Sequence, residues 1–316
     1  MRTPVWTLVL MLAASTAQAQ DAGREEISFS GRSKGKPATL TGTLFLPGAG
    51  EARLPAMVIV HGSGGVSTER ENAYAREMTT MGVAAFVPDL FTGRGVKSTV
   101  EDQSAVTGFE MVEDAFTVLG KLARHPRLDP KRIGIMGFSK GGTVTMNAAL
   151  LRYADRLLPG GPRYALHVAF YPACPSYFRN KATTGAPIHV LSGGADTYVG
   201  VKPCADYVAA LKTAGANVDH IVYPNAEHGW DGSRAYSIPR GENYSRCIFE
   251  EQADGSWIEK FSRIQINDSR GIQIADKYAA ALAACRTLGV RGGPNPAVKA
   301  QAIADLERFV REAFGL

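Results

Sequence analysis

Residues Arg132–Met136 form a short apolar run that leads directly into Gly137-Phe138-Ser139-Lys140-Gly141, and the stretch from Gly141 to about Leu157 has helical character. No other feature limits so strongly what this chain can fold into. A serine set in a strand-to-helix turn, with glycine two positions away on each side, has the layout of a nucleophile elbow. Such a turn is tight and strained, so the flanking positions must be nearly free of side chain. The helix behind it offers unpaired N–H groups and a partial positive charge to a developing oxyanion.

The rest of the chain keeps the same rhythm. Ala38–Leu46 alternates polar and apolar residues and predicts a strand, while Ala56–Val60 is wholly apolar, as expected of a strand buried on both faces. Asn72–Met81 predicts a helix and Val83–Val87 another buried strand. From Val106 to Arg124, the residues Phe109, Val112, Phe116, Leu119 and Leu122 recur at helical spacing. Leu166–Phe170, Ile188–Leu191 and Val218–Val222 predict further strands, with a helix at Cys204–Thr213, and two helices near Ala275–Thr287 and Pro296–Phe314 close the chain. Strand and helix in alternation predict an α/β fold: a mostly parallel central sheet with helices on both faces. Asp231 to about Ile274 breaks the rhythm; it is polar and weakly periodic, which predicts a lid or side flap.

Residues 1–19 read as a secretory leader, with Arg2 at the start, an apolar run from about Val5 to Ala14 and an Ala17-Gln18-Ala19 exit. Residues 20–316 are then expected to form one domain, secreted or periplasmic. The apolar run is too short to span a bilayer, and no cysteine near the cut offers a lipid anchor. The formal net charge of +5 is scattered along the chain, which argues against a nucleic-acid partner. The four cysteines, Cys174, Cys204, Cys247 and Cys285, are even in number and suit an oxidising compartment. They allow three connectivities that sequence leaves open. Cys174–Cys204 and Cys247–Cys285 is the expectation, since the first two follow predicted strands and the last two share the C-terminal segment. There is no C-x-x-C pair, phosphate loop or H-E-x-x-H helix, so no metal or organic cofactor is expected.

A serine nucleophile needs a base held in place by an acid. An elbow of this kind predicts the order serine, acid, histidine along the chain. Asp196 lies just past the strand at Ile188–Leu191 and His228 just past the strand at Val218–Val222, both where loops leave the carboxyl edge of the sheet. His125 sits at a helix exit, and His167, His189 and His220 lie within strands, positions that suit structural roles. Glu227 is a rival acid, but adjacent loop residues rarely face one another. His61-Gly62-Ser63-Gly64-Gly65 resembles the histidine-glycine loops that supply one oxyanion N–H. Ser63 is the expected donor there, Lys140 N–H the second, and His61 a brace. Phe91, Phe138, Tyr198 and Trp230 adjoin these motifs and are expected to wall a substrate pocket.

Val87-Pro88-Asp89-Leu90-Phe91, the elbow with Gly142, Tyr171-Pro172-Ala173-Cys174, Gly194-Ala195-Asp196 and Glu227-His228-Gly229 together resemble the dienelactone hydrolase family, of the α/β-hydrolase fold. The resemblance implies acyl chemistry on a small ester or lactone. The family's name-giving members carry cysteine at the nucleophile position. Serine at position 139 with aspartate and histidine support implies ordinary carboxylic esters. A peptidase or acyltransferase on the same triad, and a non-catalytic binding protein on this scaffold, are the alternatives.

Overall fold

The structure, a computed structural model, describes residues 23–48, 53–267 and 274–316. The expected leader at 1–19 lies outside them. Eight strands form the central sheet. In chain order they are β1 (Gly23–Ser33), β2 (Lys36–Leu46), β3 (Leu54–Val60), β4 (Ala84–Asp89), β5 (Leu128–Phe138), β6 (His167–Phe170), β8 (Ile188–Gly193) and β9 (Val218–Tyr223), and they lie side by side as β1-β2-β4-β3-β5-β6-β8-β9. From β4 to β9 every pairing is parallel; β2 runs antiparallel to β4, and β1 antiparallel to β2. This is the α/β-hydrolase fold.

Because side chains alternate along a strand, β3 feeds two cores. Ala56, Val58 and Val60 face one core with Ile133 and Ile135, covered by Val112, Phe116 and Leu119 of helix α2 (Gly108–Leu122). Met57 and Ile59 face the other, beneath Tyr74 and Met78 of α1 (Glu71–Thr80) and Leu306, Phe309 and Val310 of α7 (Pro296–Phe314). Apolar on both sides, the central strands need helices on both faces. Helix α2 begins at a full capping box, in which Thr107 Oγ1 accepts the Glu110 N–H and the Glu110 carboxylate accepts the Thr107 N–H. Helix α3 (Lys140–Ala148) starts directly behind Ser139, and α5 (Lys202–Thr213) follows the turn that carries Asp196.

The polar segment after Asp231 is more regular than its sequence predicts. It holds β10 (Tyr236–Asn243), β11 (Phe249–Glu251) and β12 (Trp257–Glu259). Strand β10 pairs with β13 (Thr287–Gly292), while β11 pairs with β12 and with the short β7 (Ser176–Tyr177). Cys247 is bonded to Cys285 at the end of α6 (Ala275–Cys285), and Cys174 to Cys204 in α5. The segment is joined to the earlier chain by the pairing of β11 with β7, and the Cys247–Cys285 disulfide ties it to α6. Among the described residues, no helix is long and apolar enough to cross a membrane.

Candidate active site

Ser139 sits at the tip between β5 and α3 with φ +53°, a strained conformation for a residue with a side chain. The flanking glycines explain how the turn fits. A Cβ on Gly137 would lie 2.3 Å from the Gly141 carbonyl oxygen, and one on Gly141 would lie 2.2 Å from that of Val60. Both contacts are far inside van der Waals distance, so any side chain there would push Ser139 off its tip.

The structure brings Ser139, His228 and Asp196 together from three loops at the carboxyl edge of the sheet. His228 Nε2 is 2.9 Å from Ser139 Oγ, and His228 Nδ1 is 2.7 Å from Asp196 Oδ2. An ionised carboxylate can only accept, so the Nδ1 proton points at Asp196 and Nε2 is left to take the serine proton. Asp196 Oδ1 accepts the N–H groups of Tyr198 (2.8 Å) and Val199 (3.0 Å). Burial works against the Asp196 charge, but His228 and these two donors outweigh it and hold the carboxyl below its usual range. Tyr171 and Tyr198 pack against the imidazole with ring centres 4.7 and 4.6 Å away. Glu227 turns elsewhere, 3.8 Å from Arg291.

Beside the elbow, the His61–Gly65 turn supplies the Ser63 N–H, which has no hydrogen-bond partner among the described residues. Lys140, as the first residue of α3, has no acceptor for its own N–H within the helix. His61 is fully buried and braces the turn. It accepts the Leu90 N–H at Nε2 (3.1 Å), leaving Nδ1 to donate to the Gly62 carbonyl (2.8 Å). Burial lowers its pKa to about 4, so the ring is neutral.

These groups open on a cleft of about 330 Å³, the lower end of the usual size for a small-ligand site. Of the four aromatics expected to wall it, only Tyr198 does so. Phe91, Phe138 and Trp230 are buried in the cores instead. Phe91 packs edge-on against His61, Phe138 lies beneath Tyr74, and Trp230 packs between Tyr171 and Tyr223. Ser139 beside Phe138 and Gly229 beside Trp230 face the cleft, while the two rings point into the layer behind it. Tyr171, Tyr236, Ile238 and Arg70 take their place in the lining. Tyr171 directly follows β6 at the carboxyl edge of the sheet, a position that itself signals a site. Arg70 had no such signal. Its guanidinium lies over the Phe138 ring and pairs with the buried Glu71 at 2.8 Å.

Comparison with known proteins places the chain in a family. The dienelactone hydrolase family pattern matches residues 40–246, well over half of the chain, and that span includes Ser139, Asp196 and His228. The chain belongs to the dienelactone hydrolase family. A Methylorubrum extorquens protein that carries the name carboxymethylenebutenolidase is 28% identical over 188 residues, 56% of this chain and 63% of the relative's length. This family member thus aligns with less than two thirds of that relative. Among solved structures, a dienelactone hydrolase from Klebsiella pneumoniae shares the fold with TM-score 0.50 and 22% identity, over 66% of this chain and 89% of the other. Thermogutta terrifontis esterase 2 shares it with TM-score 0.52 and 17% identity, over 69% and 88%.

Proposed function

We propose that this member of the family hydrolyses small carboxylic esters or lactones through an acyl-enzyme on Ser139. The relay Ser139–His228–Asp196, at 2.9 and 2.7 Å and opening on the cleft, carries this reading. His228 takes the Ser139 proton as Oγ attacks the carbonyl carbon, and Asp196 orients the imidazole and stabilises its cation. The Ser63 and Lys140 N–H groups hold the oxyanion. His228 returns the proton to the leaving alkoxide, then activates a water that releases the acid and frees Ser139. The described residues act as one domain, whose flap strand β10 lends Tyr236 and Ile238 to the cleft wall. The leader-like start and the two disulfides support export to an oxidising compartment.

The test is a fluorophosphonate incubation with the adduct mapped, run beside a panel of p-nitrophenyl esters. Labelling at Ser139, abolished in Ser139→Ala, together with ester turnover is the expected result. A folded protein that neither labels nor turns over any ester would overturn the reading.

A further inference from the structure

Lys140 is an odd choice for its place. It is the first residue of α3, where the helix dipole disfavours a cation, and its side chain is part-buried, where a charge is costly. An apolar side chain would fill the same space without either cost. The ammonium turns away from the cleft and makes three contacts: to Thr99 Oγ1 (3.3 Å), to the Gln103 carbonyl (2.9 Å) and to the Val106 carbonyl. Three acceptors use all three ammonium protons, and all three belong to the irregular stretch Thr99–Val106.

That stretch carries the Ser63 turn. The Ser63 carbonyl accepts the Thr99 N–H (2.7 Å) and the Ser98 hydroxyl (3.1 Å). The Gln103 amide reaches Ser63 Oγ (3.0 Å) and the Tyr198 hydroxyl (3.4 Å), linking the oxyanion side of the site to the ring that packs on His228. From the flap, Glu242 accepts the Gln103 N–H (2.7 Å), and its own N–H donates to the Val100 carbonyl (2.8 Å). The residue beside the nucleophile and the second oxyanion turn are thus joined through a loop with no regular structure of its own.

We propose that the Lys140 side chain is a positioning residue: its ammonium clamps the Thr99–Val106 loop and, through Thr99 and Gln103, fixes the Ser63 N–H relative to the Lys140 N–H. This inference rests on the acyl-transfer reading above. It separates two roles within one residue, a backbone N–H facing the substrate and a side chain that sets where the opposing N–H stands. The partners in contact are neutral oxygens. The carboxylates that face the ammonium, Glu110 from α2, Asp102 from the loop and Glu242 from β10, act from farther off. Burial outweighs them and lowers the ammonium to about 8. A neutral amine has only two protons for three acceptors, so the clamp loosens as pH rises through that value.

The experiment compares wild type with Lys140→Met, Lys140→Arg and Gln103→Ala. It measures amide exchange over residues 99–106, and kcat and KM for p-nitrophenyl acetate between about pH 6 and about pH 10. In Lys140→Met, exchange in the loop is expected to speed up, and kcat to fall about 10- to 100-fold with KM nearly unchanged, the signature of a displaced oxyanion donor. The wild-type alkaline limb should move to higher pH in Lys140→Arg, which keeps its charge, while that variant retains loop protection. Unchanged exchange and kcat in Lys140→Met, or an alkaline limb that stays put in Lys140→Arg, overturns the proposal. Should Lys140→Met fail to fold, Lys140→Arg and Gln103→Ala decide: an unchanged kcat in Gln103→Ala sinks the link to Ser63. A wild type that neither labels nor turns over esters would count against the triad alone, because loop exchange still reports on the clamp.

Discussion

Arg70 reaches the cleft wall with its guanidinium 2.8 Å from Glu71 Oε1, and the Glu71 side chain has no exposure to solvent. The other carboxylate oxygen accepts the Ser67 N–H, just past the His61–Gly65 turn. Burial pushes the Glu71 carboxyl up while Arg70 opposes it. Glu71→Ala should strand both the guanidinium and the Ser67 donor. Arg70 retains some access to water, so the expected loss is about 2–3 kcal/mol of unfolding free energy, below the range for fully buried pairs. An unchanged urea midpoint would count against the pairing.

In the proposed mechanism Asp196 both orients His228 and offsets the charge that forms on it. Asp196→Asn should keep the geometry but favour the wrong imidazole tautomer, lowering kcat by roughly 10⁴ with little change in KM. Steady-state kinetics on one reactive ester check this, and a loss smaller than about tenfold would remove Asp196 from the mechanism.

Phe91 and Tyr198 should respond in opposite ways. Phe91→Leu thins the core beside His61, at a cost of about 1–2 kcal/mol in stability with KM unchanged. Tyr198→Ala opens the cleft wall and removes a ring from His228, so both KM and kcat should suffer. Matched unfolding and kinetic measurements distinguish them; a KM rise in Phe91→Leu would restore that residue to the substrate wall.

The two disulfides close loops of 30 and 38 residues, and each is expected to contribute about 2–4 kcal/mol. Replacing Cys247 and Cys285 by serine should lower the melting temperature and spare kcat, because that bond holds the flap. Replacing Cys174 and Cys204 should lower both. That bond ties the end of the Tyr171 loop to the helix that follows the Asp196 turn.

Lys140 should make activity and stability diverge with pH. Its folded-state pKa, about 8, lies below the usual 10.5, so the folded chain binds fewer protons than the unfolded chain between those values. Its contribution to stability is therefore fully present above about pH 10.5 and is lost as pH falls through about 8. Relative to Lys140→Met, wild type should gain on the order of a few kcal/mol on going from about pH 8 to about pH 10, while its kcat falls. Chemical denaturation of the pair at both pH values is the check, and a flat difference would place the ammonium in water.

The convergence of Ser139, Asp196 and His228 was legible in sequence because chain order and strand ends constrain it: each residue follows a strand of the central sheet, whose end fixes the edge that it reaches. The layout of the central strands was legible for the same reason, an apolar pattern with a single consistent burial. The wall of the cleft was not. Phe138 precedes Ser139 and Trp230 lies two residues past His228, yet a step along the backbone turns a side chain to another face, and adjacency says nothing about which. Gln103 touches residues 40 and 95 positions away, and Arg70 next to Glu71 reads as an ordinary solvated pair until tertiary packing buries the glutamate. The strands β1 and β10 were missed because their polar and charged residues mask the alternation, and β10 is set by its pairing with β13.

Each cysteine of this chain is bonded to its nearest unpaired neighbour in sequence, first to second and third to fourth. The two other connectivities would both close longer loops, at greater cost in chain entropy. A chain threading out amino end first into an oxidising space meets its correct partner each time before any wrong one has emerged. Under the export proposed above, native pairing is the earliest and the cheapest outcome at once, with little need of disulfide reshuffling.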